Sequence, residues 1–404
     1  MGRGESVGTS SPEILIIGAG AIGCAIALEL GRRGHTDVLV VDRGRAGGGS
    51  SSLAAGGLRA QYSTEFTIRS TQLSQYMFRE AEDTLGGSID YDESGYIILA
   101  RTEEQAEAFR ANVDLQQSLG VDVSLLSPDD LERGWPWIRT DGIHVAAWCP
   151  TDAIFDQVHF MDLLADRVRD TGIEIREGVA VTRLLRDGER VIGVETDQGP
   201  IHAGTTILAA GVWSPLLSAT IGLDLPVTPR RRAIYLTPQT AGLPERMPFV
   251  ADFDRGEYIR RDGDRIRISG GIAGADPWDD SFDLACGADD TAWVGELFPS
   301  LHDAPLTGGW AGLVELTPDH HPLLGDVPGY DGLVVATGFS GHGVMHAPVT
   351  GTLIAELLLD GHATTLDIAP LSPLRFAEGK PIATSRLERQ TEQGDIVLRP
   401  TENQ

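Results

Sequence analysis

Gly18-Ala19-Gly20-Ala21-Ile22-Gly23 places three glycines at the spacing with which a backbone turn cradles a pyrophosphate. The first glycine permits the tight turn, the second lets phosphate approach the backbone, and the third lets helix and strand pack closely. Such a turn attracts an anion because unpaired N–H groups and the positive end of the helix dipole meet there. Asp42, nineteen residues after Gly23, suits a hydrogen bond from a ribose hydroxyl. Two later stretches repeat the small-residue chemistry. One is Thr206 to Ser214, with Ala210, Gly211 and Trp213; the other is Val334 to Gly343, with Gly338, Phe339, Ser340, Gly341 and His342. Each is an apolar run entering a turn with little side-chain bulk, so that backbone can come close to a large ligand. Three such strand ends suit a flavin dinucleotide buried along a whole domain, and the expected cofactor is FAD.

The elements that must hold these residues are legible around them. Glu13 to Ile17 is an apolar run of the kind buried on both sheet faces. Ile22, Ile26 and Leu30 recur at helical spacing until Gly31 and Gly34, and Val38 to Val41 forms a second strand ending at Asp42. Downstream, the pattern predicts helices over 66–85, 103–117 and 156–170 and a strand over 95–100. It predicts three strands over 179–185, 191–196 and 201–210, then a strand-rich segment over 221–305. A strand over 332–337 and a helix over 349–359 follow, before a polar tail beyond 375.

Composition narrows the functions. A net charge of −27 disfavours nucleic acid and anionic membrane as partners. Lys380 is the only lysine among 32 basic residues. Cys24, Cys149 and Cys286 have neither disulfide nor metal-site spacing and are expected to pack in the core; no metal is expected. Residues 1–12 are polar, without a hydrophobic signal core, and no stretch has the length of a membrane span, so a cytoplasmic protein is expected.

The chain resembles the D-amino-acid oxidase/sarcosine oxidase superfamily of flavoproteins, and within it the sarcosine oxidase β-subunit and proline dehydrogenase β-subunit type. The resemblance rests on Ile16 to Gly23, on Ala54-Ala55-Gly56-Gly57-Leu58-Arg59-Ala60-Gln61-Tyr62, on Trp310 to Gly325 with Leu316-Thr317-Pro318-Asp319, and on Gly338 to Pro348. It implies an α/β (α+β) fold: a Rossmann-like FAD-binding domain over 12–90, 142–218 and 308–370, and an antiparallel-sheet substrate domain over 91–141 and 219–307. The chain would cross between the two, with 1–11 and 376–404 as peripheral tails.

The resemblance further implies hydride transfer from the carbon–nitrogen bond of a small amine or amino acid to flavin, giving an imine that hydrolyses. Arg59 is expected on the substrate carboxylate, since a guanidinium offers a bidentate fork. Tyr258 and Met345 are expected to line the substrate, His342 to act from the flavin-contacting loop, and His320 and His321 to flank the ring. The flavin set is Gly18, Gly20, Ala21, Ile22, Gly23, Asp42, Arg43, Ser51, Ser52, Ala55, Gly56, Gly57, Val179, Ala210, Gly211, Trp213, Gly312, Gly338, Phe339, Ser340, Gly341, His342, Gly343 and Val344. The chain departs from the monomeric sarcosine oxidase pattern at three points. Arg265-Ile266-Arg267-Ile268-Ser269 stands where a lysine activates oxygen, Met345 where a second lysine meets the carboxylate, and Gly312 where a cysteine binds flavin covalently. Non-covalent FAD is therefore expected, with O2 or an electron carrier as acceptor and a partner subunit or homo-oligomer left open. The same fold also supports a 2-hydroxy-acid dehydrogenase or a non-catalytic flavoprotein subunit.

Overall fold

The computed structural model describes residues 11–238, 243–270 and 276–383. Over these residues the chain forms two compact units, each assembled from separated stretches: those up to 52, within 158–228 and within 315–381 in the first, and those within 53–157, within 229–314 and from 382 on in the second.

In the first unit Ile14–Ile17 is fully buried and pairs in parallel with Val38–Asp42 on one side and Thr205–Leu208 on the other. A strand so enclosed has no polar face, which is why its sequence is continuously apolar. Leu333–Thr337 and the antiparallel edge strand Leu323–Asp326 extend the sheet one way, and Glu174–Glu177 extends it the other. The helix Ala21–Arg32 packs on Gly343–Asp360, and a Cβ at Gly351 would lie 2.5 Å from Ala25 O, so the two backbones nearly touch.

The second unit is built on an eight-stranded sheet. Its order runs from Gly308–Leu316 through Thr228–Pro238, Arg265–Gly270, Glu257–Asp262, Phe249–Asp252, Tyr96–Ala100 and Val145–Cys149 to Ser124–Leu126. Phe249–Asp252 and Tyr96–Ala100 are parallel, whereas Arg265–Gly270 is antiparallel to both its neighbours. A separate two-stranded ladder joins Gly57 to Ile154 and Leu58 to Ala153.

Several sequence expectations are corrected. The run over 201–210 is two strands, Gly199–His202 and Thr205–Leu208, in different sheets. The helix expected to start at 349 starts at Gly343 and carries Pro348 inside it. Proline there removes only the bond to the Val344 carbonyl, one turn into the helix. The helix over 66–85 breaks into Glu65–Arg79 and Ala81–Leu85. Cys24 and Cys149 are buried, but Cys286 is exposed. The polar tail is anchored at its root, where Leu374 and Phe376 pack on the core and Arg375 is buried; residues 384–404 lie outside those described.

Candidate active site

In the first unit two glycines of the turn, Gly18 and Gly23, are sterically compulsory. Gly18 has φ +105°, and a Cβ there would overlap the Ala209 carbonyl, while a Cβ at Gly23 would overlap the Gly18 carbonyl. The turn is tied to its surroundings by side chains. Ser51 Oγ accepts from Ala21 N (3.0 Å), Asp42 Oδ2 accepts from Ala19 N (2.8 Å), and Asp42 Oδ1 accepts from Gly44 N (2.7 Å). Ser52 Oγ donates to the Gly47 carbonyl. Val179 N donates to Asp42 O (2.8 Å), and the Arg43 guanidinium lies 3.8 Å over the Trp213 ring. Asp42, Arg43, Val179 and Trp213 are thus gathered at the carboxyl ends of adjacent parallel strands, where open α/β sheets bind nucleotides.

The other two small-residue turns meet through Glu315 and Thr337. Thr337 Oγ1 donates to Glu315 Oε2 (2.8 Å) and lies 3.0 Å from Gly211 O, while Glu315 Oε1 accepts from Phe339 N (3.2 Å). Ser340 N donates to Glu315 O (2.8 Å). Burial pushes the Glu315 carboxyl up from its ordinary pKa, against the pull of these backbone donors. Phe339 and Ser340 are buried, so any ligand contact from them comes through the main chain. Gly341 is exposed, and Gly343 and Val344 open the helix with His342 at its N-cap. Ser340 Oγ also accepts from Thr317 N (3.2 Å). That turn is braced in turn by a bidentate buried ion pair, Arg375 to Asp319 at 2.7 and 2.8 Å.

The second unit carries Arg59. It is half-buried, Nη1 donates to Gln61 O (2.6 Å), and the guanidinium stacks 4.1 Å over the Tyr62 ring. Upstream, Gly57 lies against the Tyr96 hydroxyl so closely that a Cβ would overlap it, and Tyr96 cannot swing away because it stacks 4.1 Å from Phe249. Ala55 O accepts from Arg260 Nε (2.5 Å) and Arg267 Nη1 (3.3 Å). Both arginines are buried, and burial followed by the Arg267 charge lowers the Arg260 pKa to about 10. Tyr258 is half-buried beside Phe249, with its hydroxyl pushed up to about 12 mainly by desolvation. Gly312 is buried against Leu53, its Cβ position 3.1 Å from the Leu53 side chain.

These features match one family. A family model described as FAD dependent oxidoreductase (DAO) spans residues 13–357 of the chain. The chain belongs to that family.

This FAD-dependent oxidoreductase is similar to FAD-dependent oxidoreductase domain-containing protein 1 of Bos taurus, 29% identical over 419 residues, which cover 91% of this chain and 85% of the relative. It is similar to the mitochondrial sarcosine dehydrogenase of Homo sapiens, 25% identical over 89% of this chain but only 42% of that longer protein. Among solved structures, L-proline dehydrogenase from P. horikoshii superposes with a TM-score of 0.85 at 27% identity, covering 92% of this chain and all of that one.

FAD is accordingly the cofactor, and the turns described above fit it: the Gly18–Gly23 turn leads into the N-terminus of the Ala21–Arg32 helix with only glycine at its N-cap, which suits a pyrophosphate. The first unit brings together Gly18, Gly20, Ala21, Ile22, Gly23, Asp42, Arg43, Ser51, Ser52, Val179, Ala210, Gly211, Trp213 and the 338–344 loop. Arg59, Tyr258, Ala55, Gly56, Gly57 and Gly312 belong to the second. Met345 is buried in the first turn of its helix, and the His342 ring is 6.2 Å from that of His346. His321 is buried, with Nδ1 2.7 Å from Asp319 O. Three residues went unread in the sequence: Asp152, Glu315 and Arg375. Glu315 stands two residues before Thr317-Pro318-Asp319, yet a lone carboxylate carries no periodic signal, and Arg375 looks like any tail arginine. Among the described residues no cluster of three or more His, Cys, Asp or Glu side chains could hold a metal, and no helix is long and apolar enough to cross a membrane.

Proposed function

We propose that this chain oxidises the carbon–nitrogen bond of a small amino acid, a secondary or N-methyl one before a primary one, with non-covalently held FAD. The flavin supplies the two-electron acceptor; the chain binds and orients. Arg59 takes the substrate carboxylate through paired N–H groups, and the Tyr62 ring beneath it limits where the guanidinium can go. Tyr258, protonated throughout the working pH range, offers a hydroxyl donor. His342 contributes from the helix N-cap beside the flavin loop. The first unit is the flavin-binding domain and the second the substrate domain.

The observation that carries this reading is the half-buried Arg59 stacked on Tyr62 within a tightly held segment. Likeness to a proline dehydrogenase and a sarcosine dehydrogenase, whose names denote amino acids with secondary nitrogen, supports it. Gly312 supports non-covalent flavin, since it offers no thiol at that position.

The test is anaerobic bleaching of the bound flavin by sarcosine, dimethylglycine, proline, pipecolate, glycine and both alanines, with 2-hydroxyglutarate as the control. Bleaching by an amine establishes the class, and admission of air then separates oxidase from dehydrogenase. Bleaching by the hydroxy acid alone would sink the amine reading.

A further inference from the structure

We propose that Asp152 is a positioning residue that sets the reach of Arg59 by clamping the main chain that follows it. The proposal rests on the reading of Arg59 as the carboxylate ligand. The ladder between the two segments is short: Gly57 faces Ile154 and Leu58 faces Ala153. Where this ladder stops, the Asp152 side chain takes over. Oδ1 accepts from Ala60 N (2.7 Å) and Gln75 Nε2 (3.1 Å), and Oδ2 accepts from Gln61 Nε2 (3.0 Å). Both residues after Arg59 are thereby held by one carboxylate, and Gln75 locks that carboxylate to the Glu65–Arg79 helix.

Arg59 inherits its place from this backbone. Its Nη1 donates to Gln61 O and its guanidinium rests on Tyr62, so a shift of residues 60–62 carries the charge with it. Asp152 is fully buried, and an ionised carboxylate is costly there unless its oxygens are satisfied. Three amide donors on two oxygens satisfy it. An asparagine of the same shape would present an NH2 group to one of those donors and release that arm.

The experiment uses the FAD-loaded full chain and acetate as the probe of the carboxylate site, read from the flavin difference spectrum. Arg59→Gln, Asp152→Asn, Gln61→Met and Gln75→Met are compared with wild type, with melting temperature, FAD content and deuterium exchange over residues 58–62 recorded for each. Arg59→Gln should weaken acetate binding at least about tenfold, the scale of a lost charge-assisted hydrogen bond. Asp152→Asn and Gln61→Met should weaken it roughly fivefold, and Gln75→Met, which frees the carboxylate from the helix, should shift it in the same direction, with FAD content unchanged and exchange over 58–62 faster. Gln61→Met keeps the test alive if Asp152→Asn does not fold. Wild-type affinity in Asp152→Asn and Gln61→Met, alongside loss in Arg59→Gln, overturns the positioning role and leaves the Arg59 reading intact. Undiminished binding in Arg59→Gln, or none in wild type, overturns the Arg59 reading. Unchanged exchange over 58–62 in Asp152→Asn overturns the clamp in either case. A merely structural role would lower the melting temperature and FAD content without moving the acetate affinity of the loaded fraction.

Discussion

Asp152 concentrates a conflict between burial and charge. Desolvation pushes its carboxyl up to about 6, while Gln61, Ala60 and Cys149 as donors and the Arg59 charge pull it back. Tyr91, Tyr96 and Cys149 are the other titratable groups that feel it. A folded-state pKa above the ordinary 3.8 means that the folded chain binds this proton more readily than the unfolded one. The stabilisation from that proton is complete below about pH 4 and is lost as pH rises through about 6, roughly 3 kcal/mol in all. Urea unfolding at pH 5 and pH 7.5 should show wild type losing stability across this window relative to Asp152→Asn. A difference that stays flat with pH would place the carboxyl pKa back in its usual range. The sequence hid this residue because its partners, Ala60 and Gln61, lie 92 and 91 positions away.

At the scale of elements, the nucleotide turn was legible because strand, turn and helix adjoin one another between Ile14 and Arg32 and each has its own period. Gly23→Ala should give protein with little bound FAD, seen as a collapsed 450-to-280 nm absorbance ratio, because the methyl group meets the Gly18 carbonyl rather than a movable side chain. The late glycine loop was legible only in part. Its glycines and Pro348 spoke against a helix, yet the helix begins at Gly343 and tolerates Pro348 at its sixth position, where the proline removes a single main-chain bond. The brace behind that loop was not legible at all, since Asp319 and Arg375 are 56 residues apart. Arg375→Leu should cost about 3–5 kcal/mol by leaving the buried Asp319 carboxylate without its guanidinium. Chemical denaturation measures that loss, and FAD retention should fall with it, because the Thr317 turn supports Ser340. Stability within about 1 kcal/mol of wild type would count against the brace.

At the scale of the whole molecule, 59 acidic residues face 32 basic ones. Repulsion among exposed carboxylates opposes the compact state and is screened within about 10 Å at 0.1 M salt. The melting temperature should therefore rise from low salt to 0.5 M sodium chloride, and a fall would show that the exposed ion pairs outweigh the excess charge. The charge balance was plain in the sequence, whereas a two-domain division came only from the family resemblance, because each unit is stitched from distant stretches of chain.

The three thiols turn that division into a gauge. Cys24 lies in the first unit, Cys149 and Cys286 in the second, and only Cys286 is open to solvent. A maleimide should stop at one adduct per native chain. It should do so slowly at neutral pH, because the Asp283 carboxylate raises the Cys286 pKa. A second and a third adduct appear only as the interiors open. Peptide mapping of short labelling pulses during denaturation would then time the loosening of each unit by its own clock, Cys24 for one and Cys149 for the other.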